Sequence, residues 1–219
     1  MGLFSKKKKV TTVKAESDQS KIKSFYLREN QITRISDFNK IIDFKPEEGT
    51  FVKTINTEIG LAGIPISQLT PEKLIEELDS PSFVLDNSEN IPEHIIYFYR
   101  QNTNLIKFLI QVHFVQDKCV YINNKISATG ITLIDNDKKK VIEKLFVKYN
   151  LKEKPEDGNF SIFFTDPYGN KVYSTDTVHY YLNYVPNKNS IDFVKNLIKD
   201  IHPEDEPEDE FGEALNQLL

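Results

Sequence analysis

HIIYFYRQNTNLIKFLIQVHFVQDKCVYINNKI, residues 94–126, is the stretch from which the fold can be read. Three runs rich in Ile, Val, Phe and Tyr, from Ile95 to Arg100, Leu105 to Gln116 and Cys119 to Ile126, are separated by polar turns at Asn102-Thr103-Asn104 and Asp117-Lys118. β-Branched and aromatic side chains suit a pleated surface, and turns this short join antiparallel neighbours, so the stretch predicts a three-stranded meander. Downstream, Val141, Ile142, Leu145, Phe146 and Tyr149 recur at helical spacing, and Asp135 or Asp137 is expected to cap that helix.

A second unit repeats this order: strand Phe160 to Thr165, the turn Asp166-Pro167-Tyr168-Gly169-Asn170, and pairing residues from Lys171 to Val185, closed by Pro186. A helix from Ile191 to Ile201 follows, expected to be capped by Ser190 and to bury Ile191, Val194, Leu197, Ile198 and Ile201. Each amphipathic helix needs an apolar surface to cover, which predicts the α+β class: antiparallel β-sheet with helices packed on one face, and charged, unstructured termini.

Upstream, Phe25, Ile32, Ile35, Phe38, Ile41 and Ile42 step by three or four, predicting a helical face with Ser36 or Asp37 as a cap and an end near Phe44. Phe51 to Ile59 reads as a strand with Phe51, Ile55 and Ile59 on one side, broken by Gly60. Thr70-Pro71-Glu72 starts a helix: a hydroxyl cap, a proline where no amide donor is needed, and an acid at the positive end of the dipole. Leu74, Ile75 and Leu78 form its buried face, and Ser80-Pro81 stops it. The expected organisation is a basic arm over 1–20, a helix/strand region over 21–90 that belongs to the same domain or stands apart, a sheet with two helices over 91–202, and an acidic tail over 203–219.

Charge is concentrated at the ends. The chain has 219 residues and a formal charge of -5, and Glu204, Asp205, Glu206, Glu208, Asp209 and Glu210 lie within one short run, so the remainder is close to neutral. Phosphate contacts need clustered Lys and Arg, so nucleic-acid binding by the folded body is not expected. Lys6, Lys7, Lys8 and Lys9 make the opposite end basic, and weak contact with an anionic membrane through them is one reading. The glycine at position 2 has Ser5 one place too early for myristoylation. A lone cysteine, Cys119, forms no intramolecular disulfide, and the first residues carry no apolar signal stretch, so a cytoplasmic setting is expected.

Linear signals of chemistry are sparse. Cys119 and His113 are the nearest approach to a nucleophile and base, but a two-residue turn at Asp117-Lys118 puts them on opposite sides of the sheet. His94, His179 and His202 lack metal-ligand spacing, and Asp135-Asn136-Asp137 lacks the glycine and glutamate of a calcium loop. Gly60-Leu61-Ala62-Gly63 has the G-x-x-G form of some RNA-clamping loops, yet it reads as a plain turn beside Pro65. No metal or cofactor is expected.

The strongest functional signal is the C-terminal segment, in which Phe211, Leu215 and Leu218 sit at helical spacing beyond the acids Glu208, Asp209 and Glu210. It either folds back on its own core or acts as a tethered ligand for a groove on another protein. The function expected is therefore non-catalytic: an interaction or assembly protein that binds a partner with a basic or grooved surface through this tail or its sheet, with homo-oligomers through the opposite charges of the two ends as one form. Two alternatives stand beside it. One is an inhibitor or immunity-type protein for a basic enzyme or toxin; the other is an enzyme with a dispersed pocket near Asp176, His179, Tyr180 and Tyr181.

Overall fold

Residues 20–102, 106–128 and 134–201 are described by the computed structural model. Five helices occur among them: α1 over 20–29, α2 Ile35–Ile42, α3 Pro71–Leu78, α4 Asp135–Lys148 and α5 Lys188–Ile201. The strands are β1 Phe51–Thr54, β2 Gly60–Leu61, β3 Ile64–Pro65, β4 Phe83–Asp86, β5 His94–Asn102, β6 Ile106–Val115, β7 Lys118–Ala128, β8 Ile162–Thr165, β9 Lys171–Asp176 and β10 Tyr180–Val185. Strands β2 and β3 form a small hairpin of their own. The other eight make one sheet in the order β1-β8-β9-β10-β7-β6-β5-β4.

The α+β class and its meanders hold. β5, β6 and β7 pair antiparallel in sequence, as do β8, β9 and β10, and β10 joins β7 to fuse the two units into one sheet. Region 21–90 supplies both edges, β1 at one end and β4 at the other. Two details depart from the expected all-antiparallel sheet with one covered face. β1 runs parallel to β8, the chain reaching β8 from the central strand β7 through α4 rather than through a hairpin from β1. Helices also cover both faces.

One face carries Ile110, Val112, Phe114, Ile122, Ile126, Phe164, Val172, Tyr180, Leu182 and Tyr184, packed against Leu74 of α3 and Ile142, Leu145 and Phe146 of α4. Phe164 stands in an aromatic cage of Phe51, Phe146 and Tyr149, edge-on to each. The opposite face takes α2 and α5, whose Phe38, Ile42, Ile191 and Val194 meet Val115, Val120, Phe163, Tyr173 and Val185. Over the β4–β6 end of that face, Tyr26 of α1 stacks on Phe83 at 4.5 Å and leans on Phe98. Burying a large side chain of this kind contributes roughly 1.5–3 kcal/mol, so both layers are substantial sources of stability.

Local signals set the helix ends, with corrections. Thr70 Oγ1 accepts from Lys73 N as its cap position requires. In α2 the capping acid is Asp37, not as the first residue but from inside the first turn: its carboxylate accepts from the backbone of Thr33 and Arg34. Asn187 rather than Ser190 caps α5, since Asn187 Oδ1 accepts from Ser190 N at 2.9 Å. Neither Asp135 nor Asp137 caps α4; both lie in its first turn and pair with Lys138 and Lys140. The strand expected from Phe51 to Ile59 ends at Thr54, and the chain bends so that Ile55 and Ile59 still enter the core.

Candidate functional site

Alternation along a strand sends every second side chain to the same face, and on β5, β6, β7 and β10 the positions turned toward α1 and α2 are polar at the sheet's centre. His94, Gln111, His113, Asn123 and Asn183 are all buried there. Register places Gln111 opposite Asn123, Asn123 opposite Asn183, and His113 opposite Tyr121.

Hydrogen bonds run through this seam in a fixed direction. Asn87 Nδ2 donates to the carbonyl of Ile32 at 3.3 Å, which fixes its amide orientation, and the same nitrogen lies 2.9 Å from His94 Nδ1. That ring nitrogen must accept, so the His94 proton sits on Nε2, which lies 3.0 Å from His113 Nδ1. His113 Nδ1 accepts in turn, leaving its proton on Nε2. Burial disfavours charge on both rings: it lowers the His94 pKa to about 4 and holds His113 well below the ordinary value, with neighbouring His94 adding to the effect.

A second branch crosses β7 and β10. Tyr121 OH donates to Asn183 Oδ1 at 2.6 Å, Asn123 Nδ2 donates to the same oxygen at 2.9 Å, and Asn183 Nδ2 reaches the Tyr173 carbonyl at 3.5 Å. Helix α1 closes the seam from above: Gln111 Nε2 donates to the Glu29 carbonyl at 2.6 Å, and Lys125 Nζ lies 2.7 Å from Glu29 Oε2. Burial drives the Tyr121 hydroxyl far above its usual range. Burial therefore holds His94, His113 and Tyr121 neutral in one arrangement, capped by the Lys125–Glu29 ion pair.

The residues singled out from sequence are dispersed. Cys119 belongs to the α4-side core and His113 to the opposite face, so thiol and imidazole do not meet. The turn is Gln116-Asp117, one residue earlier than expected, and a bulge follows at Val120. Burial pushes the Cys119 thiol far up, which makes it an unreactive core side chain. Tyr180 points into the α4-side core and donates to the Phe160 carbonyl at 2.8 Å, Asp176 pairs with Lys138 at 2.7 Å, and His179 lies beside Tyr181. These four do not converge on one cleft. Gly60-Leu61-Ala62-Gly63 forms the β2–β3 hairpin, with Ala62 and Gly63 at positive φ. Among the described residues no group of three or more His, Cys, Asp or Glu is placed to hold a metal ion. Lys6 to Lys9, Glu208, Asp209, Glu210, Phe211, Leu215 and Leu218 lie outside the described residues.

Sequence reasoning missed a groove of about 710 Å³ along the outer side of α4. Its floor is Ile142, Phe146, Leu151 and Phe160, and its rim carries Lys139, Glu143, Lys154, Glu156 and Asp157. Lys139 reaches Asp157 across the rim at 3.4 Å. Val147 stands at its edge with 79% of its surface exposed. The 151–160 segment forms the far wall and carries Gly158 at φ +84, while its Asn159 Nδ2 donates to the Gly49 carbonyl at 2.7 Å. Two smaller hollows flank α2, one of about 580 Å³ beside the start of α5 and one of about 290 Å³ over Tyr121, Tyr173 and Asn183.

No family model, no curated protein and no solved structure matches this chain. No helix among the described residues is long and apolar enough to cross a membrane.

Proposed function

We propose that this chain is a non-catalytic protein-interaction or assembly protein, and that the groove beside α4 receives an apolar segment of its partner. The observation that carries this reading is the pairing of an apolar floor, Ile142, Phe146, Leu151 and Phe160, with the exposed Val147 at its edge. Apolar side chains at helical or extended spacing on a partner can fill such a floor, as in helix-in-groove recognition. The rim has lysines and acids side by side, which matches a partner segment of mixed charge better than a strongly acidic or basic one. A small-molecule site normally encloses most of its ligand, whereas this groove is open to solvent along one side. The C-terminal residues Phe211, Leu215 and Leu218, with Glu208, Asp209 and Glu210, supply the second contact in this reading.

The experiment is a quantitative pull-down with three forms of the full chain: wild type, Val147→Arg, and a truncation lacking 203–219. A partner held by wild type and lost with Val147→Arg at unchanged melting temperature supports the groove. A partner lost only on truncation assigns recognition to the tail alone, and one retained by both variants removes the proposal.

A further inference from the structure

The relay through the buried seam ends on three polar atoms for which the described residues provide no partner: His113 Nε2, Gln111 Oε1 and Asn123 Oδ1. Their residues are neighbours in the sheet. His113 and Gln111 are two residues apart on the same face of β6, and Asn123 sits directly across from Gln111 on β7. Each orientation is set by the group's other end. Gln111 turns its nitrogen to the Glu29 carbonyl, Asn123 turns its nitrogen to Asn183 Oδ1, and His113 turns Nδ1 to His94 on β5. The remaining atom of each is thereby directed away from those partners, and for His113 this means away from β5, toward β7.

The donor and acceptor roles follow from the same bonds. His113 Nε2 carries a proton, because Nδ1 accepts from His94, while both amide oxygens only accept. A buried donor or acceptor left unmade costs about 1–3 kcal/mol, so three together would be a heavy penalty for one well-packed core. We propose that an internal water molecule is a fixed component of this seam, accepting from His113 Nε2–H and donating to Gln111 Oε1 and Asn123 Oδ1. Water has the needed valence of one acceptor and two donors; an ammonium ion cannot accept the His113 proton, and a protonated ring nitrogen cannot ligate a cation. The water joins β6 to β7 beneath α1 and completes a chain of polar contacts from Asn87 to Asn183.

The test is NMR on the full chain with ¹⁵N-labelled histidine at pH 7. Long-range ¹H–¹⁵N correlations are expected to show His94 and His113 as neutral Nε2–H tautomers, and the His113 Hε2 proton is expected to give a direct cross-peak at the water frequency with the sign of a long-lived bound molecule. A His113 ring protonated on Nδ1 would overturn the proposal, because Nε2 would then be an acceptor. So would an Nε2–H proton whose only cross-peaks are to Gln111 or Asn123 side chains, since the three groups would then satisfy one another directly.

Discussion

His94 Nε2 lies 3.0 Å from His113 Nδ1, and the two rings stack at 5.2 Å with both side chains fully buried between sheet and helices. A charge on either ring removes an acceptor from the relay: protonated His94 would point an N–H at Asn87 Nδ2, which is itself a donor. Burial adds to this, so both pKa values fall below 6.5 in the folded chain, His94 to about 4 and His113 well below its ordinary value.

The sign of the pH effect follows. Well above pH 6.5 neither state binds protons at these rings; as pH falls through the ordinary imidazole range, the unfolded chain takes up protons that the folded chain excludes, so stability declines, for His94 down to about pH 4. Urea unfolding is expected to give a lower stability at pH 5 than at pH 7, by about 2 kcal/mol from His94 alone, with His113 adding in the same direction. His94→Gln should make that slope shallower, whatever it does to absolute stability. A stability that is level between pH 7 and pH 5 would contradict the buried, neutral assignment.

Cys119 is expected to resist modification. Its burial among Phe114 and the α4-side core raises its pKa and closes access, so a disulfide reagent at pH 8 should leave the native thiol unlabelled over minutes and label it fully in guanidinium. Rapid labelling of the folded chain would show that the β6–β7 hairpin opens.

Asp166 organises a junction at the β1–β8–β9 end of the sheet. Its carboxylate accepts from Ile59 N and Tyr168 N at 2.9 Å each, from Asn170 N at 2.9 Å, and from Asn170 Nδ2 at 2.7 Å, tying the 55–59 bend to the β8–β9 turn. Asp166→Ala strands these donors in a buried place and is expected to cost about 3–5 kcal/mol in denaturant unfolding. A loss under about 1 kcal/mol would mean that the junction is solvated.

Gly60 has no room for a side chain. A Cβ there would lie 2.1 Å from the Ile64 carbonyl oxygen, backbone that the tight β2–β3 hairpin cannot move, and Lys148 Nζ already binds the Gly60 carbonyl at 2.7 Å. Gly60→Ala should lower the unfolding midpoint by an amount equivalent to about 2 kcal/mol or more. Gly49→Ala is the useful contrast, because its cost comes from a φ of +83 in open space and should stay near 1 kcal/mol.

The seam was hidden from linear reading for a physical reason. His94, Gln111, His113, Asn123 and Asn183 are interleaved with apolar residues along their strands, the pattern that normally marks a solvated face. The face is instead covered by α1, α2 and α5. The polar groups lie under helices yet are tied to one another across strands, and partners 19 or 60 residues apart leave no spacing to detect. The groove was equally invisible, since Ile142 and Phe146 serve the core and the floor alike, and only the course of residues 151–160 turns that floor into a trough.

Local chemistry in the chain determined which segments become strands and helices: β-branched runs between short turns built both meanders, and the Thr70-Pro71 start placed α3, although Ile75 of its expected buried face is exposed. Tertiary structure decided what those elements enclose. The parallel pairing of β1 with β8, the two-sided helical cover and the bulge at Val120 depend on contacts between residues far apart in sequence, and such contacts form only where the whole sheet fixes register and both faces find something to bury.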